Sequence, residues 1–165
     1  MKLIIHDLDK ELEEKIIPRN EDYCVINSSN RIFNCIGCFG CWIKTPGKCV
    51  IKDEYNKMGE LLGKCDELVV ISKCFYGGYS PFVKNVMDRS IPYIHPYFTV
   101  RNGEMHHRRR YDNHIKLDVF FYGENITSEE KNTANNIIKG NVVNFDADLR
   151  KINFLSKIED LEGVI

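Results

Sequence analysis

The feature that most constrains this chain is Leu68-Val69-Val70-Ile71, a run that is apolar on both faces. A half-exposed strand alternates apolar and polar residues, whereas a strand covered on both sides reads as an unbroken apolar run, as central parallel strands do. Leu3-Ile4-Ile5, Tyr23-Cys24-Val25-Ile26 and Lys116 to Tyr122 read as further strands, and Lys151-Ile152-Asn153-Phe154-Leu155 as the last. Helical spacing fills the gaps. Leu12, Ile16 and Ile17 mark a short helix over 9–17, closed by Pro18. Asp53 is expected to cap a helix that carries Tyr55, Met58, Leu61, Leu62 and Cys65 on one face. Ser80-Pro81 opens another, through Val83, Val86 and Met87 to about Arg89. Thr127-Ser128-Glu129-Glu130 is a capping box for a helix bearing Ala134, Ile137 and Ile138. Strands and helices alternate throughout, which predicts an α/β fold: a parallel sheet with helices on both faces. Residues 91–114, aromatic and then basic, are expected to be irregular.

A chain of 165 residues suits a single domain over 1–165. With 28% charged residues and a formal net charge of -1, it carries neither the signature of disorder nor a nucleic-acid footprint. No apolar run approaches the roughly 20 residues that span a bilayer. The first residues turn acidic at Asp7, unlike a signal peptide. The expected location is therefore cytoplasmic, with neither membrane nor nucleic acid as partner. Seven cysteines is an odd count, which in such a chain favours free thiols or metal ligation over a disulfide framework.

Four of those cysteines, Cys35, Cys38, Cys41 and Cys49, fall in the spacing C-x2-C-x2-C-x7-C. Gly37 and Gly40 permit a tight turn, and Pro46-Gly47 can bring Cys49 back toward the other three. Three readings stay open: a four-thiolate iron–sulfur cluster, which compact spacing suits; a structural zinc, which more often uses two separated cysteine pairs; or a metal-free loop. Cys24 and Cys65 read as core residues.

An open parallel sheet binds its ligand at the carboxyl ends of its strands, near the switch in strand order. The cysteine loop follows the second strand and Cys74-Phe75-Tyr76-Gly77-Gly78-Tyr79 follows the third, so both are expected on one rim and could share one ligand. In the second loop paired glycines would let backbone amides approach a planar ring while the aromatics stack on it; the alternative is an ordinary strand-to-helix turn. Cys74 ends the central strand at that rim. The basic run His106-His107-Arg108-Arg109-Arg110 reads as an anion-attracting or a solvated segment, with neither histidine a metal ligand.

Two stretches carry a resemblance. One runs from Asn34 through Cys49 to Asp53; the other is Tyr76-Gly77-Gly78-Tyr79-Ser80-Pro81 with Lys84 and Asp88-Arg89. They resemble the iron–sulfur flavoprotein and NAD(P)H-dependent FMN reductase branch of the flavodoxin-like superfamily. The resemblance implies a doubly wound five-stranded sheet in order 2-1-3-4-5, with FMN at the rim and its ring along Phe75–Tyr79. It also implies a 4Fe-4S cluster on Cys35, Cys38, Cys41 and Cys49, electrons drawn from NAD(P)H or a redox protein, and a homo-oligomer. Where that family carries a phosphate loop rich in Ser, Thr and Asn, this chain has His6-Asp7-Leu8-Asp9-Lys10-Glu11. Those carboxylates would repel a phosphate dianion, so no phosphate-binding residue is assigned. The expectation is an FMN-dependent oxidoreductase, the alternative a non-enzymatic flavodoxin-fold subunit that binds a metal or a partner.

Overall fold

A computed structural model describes residues 1–20, 22–101 and 103–165. Five parallel strands form the sheet: β1 (Lys2–His6), β2 (Tyr23–Ile26), β3 (Glu67–Lys73), and, after a separate hairpin of β4 (Ile94–Arg101) and β5 (Glu104–Arg109), β6 (Lys116–Tyr122) and β7 (Asp148–Leu155). Their order is β2-β1-β3-β6-β7. With the hairpin strands set aside, this is the expected order 2-1-3-4-5. The apolar run of β3 sits at the centre, in register with β1 on one side (Ile4 beside Val69) and β6 on the other (Val70 beside Val119). Leu68, Val70 and Ile71 are fully buried, as a strand covered on both faces must be.

The two faces are covered unequally. A single turn, α2 (Gly40–Ile43), lies in the cysteine loop; on one face of the sheet α3 (Met58–Lys64), α4 (Pro81–Asp88) and α5 (Ser128–Phe145) build the larger core, with Met58, Leu62, Val83, Val86, Ala134 and Ile138 packed on Leu3, Val70 and Phe121. Among the described residues the other face carries only the seven-residue α1 (Lys10–Ile16) and a 3-10 turn at Ile158–Leu161, which close over Ile4, Val69, Ile71 and Phe120. Helix starts follow their caps. Asp9 accepts from the Leu12 N–H, Ser80 precedes Pro81, and Thr127 and Glu130 satisfy each other's backbone donors.

Two expectations fail. Asp53 does not cap a helix, because α3 begins only at Met58 and the segment before it is a series of turns. Its carboxylate is spent on the buried Arg89 instead. Nor are residues 91–114 irregular: they form a 3-10 turn (Ile91–Tyr93) and the antiparallel β4–β5 hairpin. The basic run lies on β5 and its end, and part of it holds the hairpin down. Arg109 lies 3.5 Å from Asp146 at the end of α5, and the Arg110 Nε donates to the Pro92 carbonyl.

Candidate functional site

The rim at the carboxyl ends of the strands is built from the ends of β1, β3 and β6. After β3, Phe75 and Gly78 exchange both backbone hydrogen bonds (2.9 and 3.0 Å), closing a two-residue turn in which Tyr76 and Gly77 have φ of 52° and 76°. Gly77 is needed twice over. Its left-handed φ disfavours a side chain, and a Cβ there would meet the Glu130 carbonyl oxygen at 2.8 Å, because the turn rests on the first turns of α5. The turn leaves Phe75 (50% exposed) and Tyr76 (83% exposed) at the surface, edge to face. Tyr79 points the other way: it is buried, stacks on Phe121, and its hydroxyl donates to Asn141. Its ring is therefore part of the core, and the aromatic surface of this loop is that of Phe75 and Tyr76. Cys74 is half-buried; burial pushes its thiol up, against a smaller opposite pull from the Gly77 N–H.

The β1 end is occupied by the chain itself. The Asp7 carboxylate accepts from the Lys73 backbone N–H (3.0 and 3.2 Å) and from the Tyr122 hydroxyl (3.1 Å), so it ties β1 to the ends of β3 and β6. The Leu8 N–H donates to His6 Nδ1, and Asp9 caps α1. The Lys73, Leu8 and Leu12 N–H groups are thus engaged by internal acceptors, with Asp7, Asp9, Glu11 and Glu13 close by in the chain. Phe75 and Tyr76 leave exposed aromatic surface at the rim, while the carboxylates at the start of α1 do not suit a phosphate.

The cysteine loop is elsewhere. It leaves the rim after β2 and packs along the second half of α4, where Asn85 donates to Asn34 and Arg89 holds the loop from below. Arg89 is fully buried: Nη1 reaches the Phe33 carbonyl (2.6 Å) and Asp53 (2.8 Å), and Nη2 reaches Asp53 (2.7 Å). Burial by itself would push the Asp53 carboxyl up. The Arg89 hydrogen bonds and the Phe33 and Tyr55 N–H groups outweigh it and hold that carboxyl below its ordinary value. Because α4 has eight residues, about 12 Å of helix separates its start at the rim from Arg89. The expected single shared rim is therefore two places. Between them, a groove of about 340 Å³ runs between α4 and α5 from Tyr79 and Ile137 to Trp42 and His107.

Within the loop, Cys35, Cys41 and Cys49 line one small cavity beside Arg89, Ile91 and Pro92; Cys35 and Cys38 are exposed and Cys41 and Cys49 half-buried. Burial, and after it the neighbouring Cys49, Cys35 and Cys38 thiols, push Cys41 up, so the four lie in one neighbourhood. The donor set suits a soft metal or a cluster. The room does not: the cavity holds about 20 Å³, the space of one water. Among the described residues no group of three His, Cys, Asp or Glu side chains is gathered as a metal site. The positive φ falls on Gly37 and on Phe39 rather than on Gly40, whose Cβ position faces Val50 at 2.7 Å. Phe39 stacks on Trp42, Trp42 on His107, and His107 on Phe98, joining loop to hairpin. Sequence reasoning missed Arg89 as the anchor of this loop. No local signal marks it, since Asp53 reads as a helix cap and Arg89 as a helix end.

Comparison with known proteins agrees with this fold. No family model matches the chain. An iron–sulfur flavoprotein of Archaeoglobus fulgidus is 32% identical over 68 residues, which is 41% of this chain and 30% of that protein. Another, from Methanocaldococcus jannaschii, is 38% identical over 58 residues, 35% of this chain and 29% of that protein. The matched stretch thus spans less than a third of either relative. Among solved structures, the Trp repressor binding protein of Bacillus subtilis superposes with a TM-score of 0.53 at 14% identity, covering 98% of this chain and 90% of that one. General stress protein 14 of Treponema denticola, in complex with FMN, superposes with a TM-score of 0.51 at 14% identity, covering 98% and 91%. Among the described residues no helix is long and apolar enough to cross a membrane. The chain has the flavodoxin-like fold, and in sequence it resembles the iron–sulfur flavoproteins of that superfamily.

Proposed function

We propose that this protein is a flavin-binding oxidoreductase whose flavin ring rests against Phe75, Tyr76 and Gly77-Gly78, with Cys74 beneath it. One observation carries the reading: a tight turn presenting two exposed aromatic rings at the carboxyl end of the central strand, beside the switch between β1 and β3. The FMN complex of a fold neighbour and the flavoprotein relatives support it. A bound flavin supplies the electron-carrying chemistry; the protein's part is to hold and orient the ring and to keep water from one face of it. Tyr79 and Asn141 brace the turn from the core side. Cys35, Cys38, Cys41 and Cys49 are the donor set that would hold a 4Fe-4S cluster, although their cavity as it stands has room for one water. NAD(P)H or a redox protein is the electron donor in this reading, and a cytoplasmic homo-oligomer the working unit.

A second reading, a flavodoxin-fold subunit that binds a metal or a partner and carries no flavin, is favoured by the Asp7 carboxylate lying across the β1–β3 crevice. One experiment separates the two. Protein purified without oxygen is expected to quench the fluorescence of added flavin and to turn brown on reconstitution with iron and sulfide. If it stays colourless through both treatments, the oxidoreductase reading is wrong. If Cys38→Ser retains the iron and the colour of the parent, the four-cysteine assignment fails while the flavin assignment stands.

A further inference from the structure

The crevice between the ends of β1 and β3 is where a doubly wound sheet of this strand order receives the ligand. Here it already contains an anion. Both Asp7 oxygens lie within 3.2 Å of the Lys73 N–H, and one accepts from the Tyr122 hydroxyl at 3.1 Å. Burial pushes the Tyr122 phenol up and the Asp7 charge adds to it, so the hydroxyl stays protonated and donates. Two further donors of the crossover are engaged as well: the Leu8 N–H by His6 Nδ1, and the Leu12 N–H by Asp9. Helix α1, at seven residues, is too short to contribute a strong dipole, and Asp9 and Glu11 bring like charge to its start. Lys10 and Lys73 are the only cations in the two flanking segments, 6–13 and 72–79. A phosphate dianion placed there would meet the Asp7 and Asp9 carboxylates.

We infer that this site selects a flavin without the terminal phosphate, a riboflavin-type ligand, over FMN, with the Asp7 carboxylate holding the donors that a ligand phosphate would otherwise take. The inference rests on the flavin reading above and specifies its ligand. An uncharged ribityl chain suits the crevice: its hydroxyls can donate to Asp7 and Asp9, where a phosphate at neutral pH can only accept. Like charges near a partly exposed site repel by an amount that salt screens, so the discrimination is electrostatic and salt-dependent.

Titration of the protein with riboflavin and with FMN, followed by quenching of flavin fluorescence, tests this. Riboflavin is expected to bind about tenfold more tightly than FMN at low salt, with the gap narrowing at high salt. Asp7→Asn removes the charge and keeps an acceptor oxygen; Asp9→Ser removes the charge and keeps the helix cap. Each is expected to raise the ratio of FMN affinity to riboflavin affinity several-fold. Should FMN bind as tightly as riboflavin or more so, the inference is overturned while the flavin reading survives. Should neither flavin bind, both fall together.

Discussion

Arg89 has no exposed side-chain surface, yet it carries a full charge among apolar neighbours. It holds that position because Asp53 meets it at 2.7 and 2.8 Å and the Phe33 carbonyl takes a further donor. Removing one partner of such a pair leaves the other charge buried and uncompensated, a loss of about 3–5 kcal/mol against a typical total of about 5–15. Arg89→Met is therefore expected to lower unfolding free energy by that amount in denaturant titration, and to release the cysteine loop. Limited proteolysis between residues 33 and 53 would register the release; an unchanged cleavage pattern would mean that Trp42 and the hairpin hold the loop without it. This pair lies between residues 36 apart in sequence. Neither the aspartate, which reads as a helix cap, nor the arginine, which reads as a helix end, announces the other. Asp7 is a different case: its negative charge is plain in the sequence, but the bonds that draw it across the rim depend on where β3 and β6 end.

Among the elements, the β3 turn shows what local sequence does and does not specify. Tyr76-Gly77-Gly78 reads as a turn from its glycines alone, but the contact with α5 makes Gly77 irreplaceable. Gly77→Ala is expected to cost clearly more than Gly103→Ala in thermal or denaturant unfolding. Both have left-handed φ, 76° and 80°, for which an alanine costs about 1–2 kcal/mol, but only Gly77 has the Glu130 oxygen 2.8 Å from the added Cβ. Equal costs would show that α5 yields freely to the turn. The helices α4 and α5 were legible because capping chemistry is local, Ser80 and the Thr127–Glu130 box each acting within three residues, and α1 showed in the spacing of Leu12 and Ile16 before Pro18. The β4–β5 hairpin was not. Its Pro96 and its run of basic residues hide the strand pattern. What holds the hairpin is tertiary: Arg101 and Arg109 against Asp146, and His107 between Trp42 and Phe98.

Across the whole molecule, the thinly covered face places a titratable group in the core. His6 is fully buried under α1, with Nδ1 accepting from the Leu8 N–H and Nε2 3.5 Å from the Glu13 carboxylate. Glu13 also accepts from Asn27, so the cluster joins β1, α1 and the end of β2. Burial pulls the His6 imidazole below its ordinary value, and Glu13 and Asp7 offset only part of that pull. The folded state thus favours neutral His6, while the unfolded chain takes up a proton near pH 6.5. The contribution is complete above about pH 6.5 and is lost as pH falls from there through the lowered folded value. Melting temperature is expected to drop across that interval, and to drop less in His6→Asn, whose side-chain oxygen can keep the Leu8 bond. Parallel pH profiles for the two proteins would assign the loss to other groups.

The sequence by itself determined the succession of the five sheet strands along the chain, the helices α1, α4 and α5, and the central place of β3. Hydrophobic period and helix caps are properties of neighbouring residues, and a buried parallel sheet leaves few ways to connect them. It also displayed the two chemistry-bearing loops, since glycine, cysteine and aromatic clusters are visible without a fold. Tertiary structure alone decided how those loops are placed: one on the rim against α5, the other a helix length away on a buried arginine. It also decided that Asp7 lies across the crevice. Each of these depends on contacts between residues tens of positions apart, whose distances are set only when the sheet and its covering helices are packed.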